Sequence, residues 1–493
     1  MGFLFASKLD AARLQTRRNQ AAAADPAASA WVSANAGTGK THVLTMRVQR
    51  LLLGGTPPER ILALTYTKAA AAEMSKRVFA RLAEWVLSDE PSLTRTLAQL
   101  LDRAPTPADM QRARQLFAIA IETPGGLKVQ TIHAFCERLL QRFPIEAGVP
   151  PSFAILDEQE RSALLNRATD EMLAAAAAQK SEPLWQALQT AIAHAVNGGF
   201  DNVLQQALAT LSAAPGPVGE PALAAAQKGL RATFGVRPDI AAEEIIAQLS
   251  KTVADDLLPQ LVSALRAGSK SDAKGALCLD AALVAGSAGR RAEALANFFL
   301  TQSNGPRERL VTRKISDERP EIADLLQRAQ AKFVALYGEY RSLMVVEATL
   351  ALLRLGTDVF DRYNAAKARS AALDFEDLVG KAAALLASSQ AVEWVLYKLD
   401  GGLDHILVDE AQDTSPVQWD VIRALAEEFF SGSGAREGVR TLFAVGDEKQ
   451  SIYSFQGAAP TMFATTGALF ARRAELAGLA LRRVPLNLSF RAS

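Results

Sequence analysis

Ala34-Asn35-Ala36-Gly37-Thr38-Gly39-Lys40-Thr41 decides how this chain is read, because of what lies on either side of it. Before it, Ala30-Trp31-Val32-Ser33 is a short apolar run of the kind that forms a buried strand. After it, from Thr41 on, Val43, Leu44, Val48, Leu51 and Leu52 recur at helical spacing, and Gly54-Gly55 with Pro57-Pro58 ends the helix. A glycine-bearing loop between strand and helix can turn its backbone N–H groups inward around phosphate oxygens, and the helix adds the positive end of its dipole. Lys40 then reaches the β- and γ-phosphates of a nucleotide, and the Thr41 hydroxyl sits on Mg²⁺. The general pattern has Gly where this chain has Ala34, a small departure. The bland alternative, a chance Gly-Lys-Thr in a tight turn, is weakened by the strand and helix that flank it.

Outward from the loop, Ile61-Leu62-Ala63-Leu64-Thr65 reads as the next strand and Ala69 to Trp85 as another helix. This alternation over residues 1–144 predicts an α/β fold, a parallel sheet covered by helices. From about 145 to 371 the texture changes to Ala- and Leu-rich sequence with few β-branched runs. Leu164, Leu165, Ala168, Met172 and Leu173 fall at helical spacing, and Met344 to Leu355 belongs to a long helix. Loops are expected at Ala213–Pro221, Gly268–Gly275 and Asn304–Pro306. The stretch is expected to be an all-helical insertion. From Leu373 the strand–helix rhythm returns, with His405-Ile406-Leu407-Val408 and Thr441-Leu442-Phe443-Ala444-Val445 as strands, each running into a polar, acidic turn.

The turn after the first of these is Asp409-Glu410-Ala411-Gln412-Asp413-Thr414. In a parallel sheet the carboxyl ends of the strands form the ligand crevice, so this turn and the phosphate loop address the same place. Asp409 is suited to hold Mg²⁺ through water, and Glu410 to orient and deprotonate an attacking water. Adjacent acids after a strand are also common helix caps, a reading that the upstream loop disfavours.

At 493 residues the chain is long enough for two to four domains. Its 49% hydrophobic and 22% charged residues are those of a globular protein, and a net charge of +1 does not announce a nucleic-acid binder. DNA contacts would have to come from local patches or uncharged stacking groups. Two cysteines, Cys136 and Cys278, lack metal-ligand spacing, which argues against a disulfide framework, a zinc site or an iron–sulfur cluster. No signal peptide and no apolar stretch of membrane-spanning length is evident, so a soluble cytoplasmic protein is expected.

Eight ordered segments carry a resemblance that composition could not. They are Asn19-Gln20 with Asp25-Pro26, the phosphate loop, Leu64–Val78, Val129–Phe143, Ala372–Val379, Val408–Trp419, Val445–Ala458 and Leu486–Ser493. Together they resemble the UvrD/Rep-type superfamily-one helicases and, closer still, the AddA subunits of AddAB helicase–nucleases. The resemblance implies an ATP-dependent 3′–5′ DNA helicase of double-strand-break repair, using ATP and Mg²⁺ and pairing with an AddB-type subunit. It implies a RecA-like P-loop motor domain in two parts, 1–144 (with a helical elaboration at 84–126) and 372–485. A 1B-like insertion at 145–371 would divide them, and a second motor domain would begin at 486–493.

By position, the resemblance makes Gln20 the reader of adenine, Gln450 a γ-phosphate sensor and Arg491 an arginine finger. The loop residues Ala34, Asn35, Ala36, Gly37, Thr38, Gly39, Lys40 and Thr41 would hold the nucleotide, with Thr41 and Asp409 on the metal and Glu410 as base. Tyr66, Thr67, Thr131, His133, Tyr453 and Phe455 become the candidates for single-stranded DNA and the duplex junction. Aromatic rings stack on any base and hydroxyls grip phosphate, which would let a near-neutral chain hold DNA. Gln456 departs from the arginine common in the family. Tyr66 and Phe455 could instead be core aromatics, His133 a structural hydrogen bonder, Cys136 an apolar filler and His42 a helix-surface residue. The basic cluster Arg307, Arg309, Arg313 and Lys314 reads first as a solvated charged loop.

With Ser493 two residues beyond Arg491, the chain is expected to be an N-terminal fragment lacking the second motor domain and the nuclease domain. The alternatives are an ATP- and DNA-binding module with little turnover, a UvrD/Rep-type repair helicase fragment, or, remotely, a small-molecule kinase.

Overall fold

Short continuous apolar runs are what strands buried on both faces require, and four of them form the centre of a six-stranded parallel sheet whose two edge strands are more polar. The six strands are β1 (Ser29–Ala34), β2 (Ile61–Thr65), β3 (Lys128–Thr131), β6 (His405–Val408), β7 (Thr441–Gly446) and β8 (Leu481–Leu486), in the order β3-β2-β6-β7-β1-β8, with β3 and β8 at the edges. The computed structural model describes residues 14–35, 37–180, 182–195, 199–212, 219–387, 395, 398, 402–430, 438–447 and 460–486. The register sets Ala30 opposite Phe443, Leu62 opposite Ile406 and Leu407 opposite Phe443. A separate pair, β4 (Ala154–Ile155) with β5 (Ala372–Leu373), is also parallel.

Successive side chains point to opposite faces of the sheet, so each face has its own core. On one face Trp31, Leu62, Leu64, Ile406, Val408 and Leu442 pack among the helices Phe375–Ala387, Pro416–Ala426 and Pro460–Leu476. Trp31 stacks against Phe463 and Trp419 at centroid distances of 4.8 and 5.6 Å. Gly467 admits the Trp31 ring, since a Cβ there would lie 2.7 Å from it. On the other face Val32, Ile61, Ala63, Leu407, Phe443 and Val445 meet four helices and Ala23 at the end of the helical stretch that precedes β1. The helical residues 14–23 (α1) lead into β1. The four on this face are α2 (Lys40–Leu53), α3 (Lys68–Leu87), α4 (Glu90–Leu101) and α5 (Pro107–Glu122), while α6 (Ile132–Arg142) lines the first core.

The chain divides into two compact units, Met1–Arg161 with Lys367–Ser493, and Ser162–Ala366. The second is helical apart from one isolated bridge, among its described residues. The 50-residue helix Pro320–Arg369 supplies Phe333, Leu343 and Val346 to one of its cores and Leu355, Val359 and Tyr363 to another. One expectation is corrected here: Gly268–Gly275 is not a loop. A helix runs over Lys270–Leu283, started by a capping box between Ser269 and Asp272. Gly275 sits inside it because a Cβ would come 2.9 Å from the Phe298 ring, so the glycine marks close packing rather than a break. Asn304–Pro306 does form a turn, with the Thr301 amide donating to Gly305 O at 2.8 Å. Among the described residues, no helix is long and apolar enough to cross a membrane.

Candidate active site

β7 lies between β1 and β6, and all three run the same way, so the segments leaving the ends of β1 and β6 emerge near one another. After β1, Gly37 and Gly39 adopt left-handed backbone (φ 73° and 90°) that a side chain would strain. Thr38 is fully buried and tightens the loop, its hydroxyl donating to Asn35 O at 2.7 Å. α2 starts at Lys40 with no side-chain cap and no acid in its first turn. A helix start of that kind, with its N–H groups and dipole unopposed, fits an anion.

After β6, the Asp409 amide donates to Leu64 O at 2.9 Å, carrying the chain one residue further along β2. The Asp409 carboxyl is buried, and burial together with the neighbouring Glu410 charge pushes its pKa up to about 6. A carboxylate so poor in solvent is one that a bound cation would stabilise. Glu410 occupies left-handed backbone (φ 48°, ψ 45°), rare for a residue with a Cβ and worth about 1–3 kcal/mol of strain. Two contacts hold its carboxylate: Lys40 Nζ at 2.6 Å, with the two side chains 12% and 35% exposed, and the Gln412 amide at 2.9 Å.

Gln412 also ties the acidic turn to the neighbouring strand. Its Nε2 donates to Asp413 Oδ2 at 3.0 Å, and its Oε1 accepts from the Asp447 amide at 2.8 Å. Gly446, ending β7, makes room: a Cβ there would lie 2.8 Å from Gln412 Oε1 and 3.2 Å from Phe463. Gln20 in the last turn of α1 reaches the loop itself, its Nε2 donating to Thr38 O at 3.4 Å. Next to it, Asn19 Nδ2 donates to Pro485 O at 2.8 Å.

Tyr66 and Thr67 follow β2, Thr131 ends β3 and His133 stands in the first turn of α6 just after it, so they share the carboxyl edge with the loop and the acidic turn. The Thr67 and Thr131 hydroxyls accept from the Ala70 and Ala134 amides, capping α3 and α6, which leaves each hydroxyl proton able to donate. His133 is half-buried, its pKa lowered by burial, and meets Phe375 edge-on at 5.5 Å. Ala36, Gln450, Tyr453, Phe455, Gln456 and Arg491 lie outside the described residues.

Cys136 is an apolar filler: fully buried, its thiol pushed up to about 12 by burial. Arg307 staples backbone, donating to Leu300 O at 2.8 Å and Asn297 O at 3.1 Å. The described residues hold no cluster of three or more His, Cys, Asp or Glu placed to bind a metal. Sequence reasoning missed the bridging role of Gln412 and the buried cations Arg47 and Arg50. A signal for Arg47 existed, because it stands four residues after Val43 and four before Leu51, on the stripe that faces the core.

Phosphate-type loop, basic Lys40 and acidic turn at one edge of a helix-covered parallel sheet define the class of protein, and sequence comparison agrees. The profile of the UvrD/REP helicase N-terminal domain matches residues 14–470, and the chain belongs to that family. Among individual relatives, an ATP-dependent helicase/nuclease subunit from Pelotomaculum thermopropionicum is 29% identical over 508 residues, covering 94% of this chain and 36% of that protein. The proteins of the same name from Latilactobacillus sakei and Enterococcus faecalis are each 26% identical, the first with 88% and 48% covered and the second with 88% and 34%. The chain thus spans between a third and a half of the length of these relatives.

Proposed function

We propose that this chain carries the ATP-binding, RecA-like motor of an ATP-dependent 3′–5′ DNA helicase, part of an AddA-type helicase–nuclease of double-strand-break repair. The observation that carries the reading is the 2.6 Å contact between Lys40 and Glu410, which joins the phosphate-type loop to the acidic turn although 370 residues separate them. Residues 1–144 and 372–485 then form the motor domain, with 84–126 as its helical elaboration, 145–371 as a 1B-like insertion and 486–493 as the start of a second motor domain.

In this reading Lys40 exchanges Glu410 for the β- and γ-phosphates when ATP arrives. Glu410, released but still held by Gln412, orients a water and takes its proton as the water attacks the γ-phosphorus and ADP leaves. Thr41 and Asp409 would hold Mg²⁺, which when bound neutralises charge on the phosphate oxygens. Gln20 reads the base, and Asn35 to Gly39 wrap the phosphates, with Gln450 and Arg491 completing the response to the γ-phosphate. Tyr66, Thr67, Thr131 and His133, with Tyr453 and Phe455, grip single-stranded DNA near the duplex junction. The relatives are each named as one subunit of a helicase/nuclease, which supports a partner subunit, and the resemblance makes that partner AddB-type.

The test is nucleotide binding and ATP turnover with and without single-stranded DNA. Lys40→Ala is expected to lose Mg·ATP binding, and Glu410→Gln to keep binding while losing turnover. Variants that bind and turn over ATP as the parent does would sink the assignment.

A further inference from the structure

α1 ends at residue 23, and the last carbonyls of a helix have no partner within it. Here three guanidinium groups supply the partners. Arg50 Nη1 donates to Ala21 O at 2.9 Å, Arg482 Nη1 to Ala22 O at 3.4 Å, and Arg47 Nη1 to Ala23 O and Asp25 O at 2.8 Å each. Arg47 Nη2 goes on to Ala28 O at 2.7 Å and the Thr441 hydroxyl at 2.9 Å. Arg47 is fully buried over the Phe443 ring, 5.3 Å from its centroid, and these four oxygens are all uncharged. Burying a cation with no carboxylate hydrogen-bonded to it is expensive, and what the position provides in return is mainly a set of backbone carbonyls held by the fork of the guanidinium.

Arg47 and Arg50 stand on α2, the helix whose first residue is Lys40. Gln20 stands on the turn that they grip and touches the loop from above, where a Gly39 Cβ would come 3.2 Å from its Nε2. We infer that Arg47 and Arg50 are positioning residues for base recognition, fixing Gln20 at a set distance from the phosphate loop through α2 as a rigid ruler. From Lys40 to Arg47 that ruler is about 10 Å. The inference rests on the proposed reading of Gln20 as the contact to the base. A glutamine amide offers one donor and one acceptor, which matches the N7 and N6 edge of adenine and mismatches the two acceptors of guanine. The match holds only while the amide keeps its distance from the phosphates.

The experiment measures affinities for ADP, GDP and inorganic tripolyphosphate in the parent chain, Gln20→Ala, Arg50→Gln, Arg47→Lys and the Gln20→Ala/Arg50→Gln double variant, each with its melting temperature. Arg50→Gln and Gln20→Ala are each expected to lower the ADP-over-GDP ratio by about five- to tenfold, with tripolyphosphate affinity unchanged and no further loss in the double variant. Arg47→Lys, which keeps the charge and loses the fork, is expected to lower the ratio in the same way if it folds. If Arg50→Gln keeps the ratio while Gln20→Ala loses it, the positioning role is wrong and base reading by Gln20 stands. Equal weakening of ADP and tripolyphosphate by Arg50→Gln would reduce the arginines to general support and overturn the inference. If Gln20→Ala itself keeps the ratio, base reading by Gln20 falls and the inference with it.

Discussion

Replacing Asp409 by Asn should make the protein more stable while taking away its answer to Mg·ATP. The Asp409 carboxyl titrates near 6 because burial and the Glu410 charge oppose its ionisation. In the unfolded chain it ionises near the usual carboxylate value of about 4. Between those values the folded state binds the extra proton, so stability falls as pH rises from about 4 to about 6 and is flat above. A gap of about 2 pH units corresponds to roughly 3 kcal/mol, the cost of the buried charge at pH 8. Asn removes the charge and keeps Oδ1, which accepts from the Glu410 amide at 3.0 Å. Urea unfolding followed by tryptophan fluorescence is the assay, since Trp31 and Trp419 stack in the core of the sheet unit. The variant should exceed the parent by about 3 kcal/mol at pH 8, with the difference vanishing towards pH 4. The difference between the two proteins is the clean quantity, because His405 gives both a trend of opposite sign in that range. Saturating Mg·ATP should stabilise the parent by about 2.7 kcal/mol at a hundredfold excess over Kd, and the variant far less. A variant less stable than the parent at pH 8, or a difference that ignores pH, would refute the account of Asp409.

His405 is buried, and burial with the nearby Arg47 charge lowers its pKa to about 3, so acidification from about 6.5 to 3 costs stability as the unfolded chain takes up the proton. His405→Asn should remove about one proton from the slope of stability against pH in that window, and an unchanged slope would count against a neutral buried imidazole. Gly446→Ala must displace the Gln412 amide or Phe463, so a loss of about 1–3 kcal/mol in urea unfolding is expected, with a fall in any ATP turnover. A thiol reagent at pH 8 should label Cys278 and leave Cys136 untouched until the protein is denatured, as read by peptide mass spectrometry. Labelling of Cys136 in the native state would contradict its burial.

Where a local pattern carried the information, the elements were legible residue by residue. Ile61–Thr65 and His405–Val408 are strands with the expected bounds, because both are apolar runs closed by polar turns. The proximity of Lys40 and Glu410 was legible too, since a strand–loop–helix unit and a strand–acid turn in one parallel sheet can only meet at the carboxyl edge. Position across the sheet was not legible. Nothing local to Thr441–Gly446 says that it lies between β1 and β6, or that Gln412 will find the Asp447 amide there. Gly275 misled for a related reason: whether a glycine breaks a helix or receives a ring depends on Phe298, which periodicity around Gly275 does not contain. The helical stripe marks Arg47 as core-facing, but the partners of Arg47 and Arg50 were hidden because most of them are backbone carbonyls, which every sequence possesses.

The order β3-β2-β6-β7-β1-β8 also has a price during synthesis on the ribosome. β1 has no partner until β7 and β8 are made, and the Leu442 amide meets the Ser29 hydroxyl across 413 residues of chain. At roughly 5–20 residues per second, an apolar Ser-Ala-Trp-Val-Ser-Ala segment waits about 20–80 s with both edges open. The intervening helical unit, rich in local contacts, can fold in that interval on its own account. Newly made chains are therefore expected to depend on holding factors in the cell far more than the finished sheet would suggest.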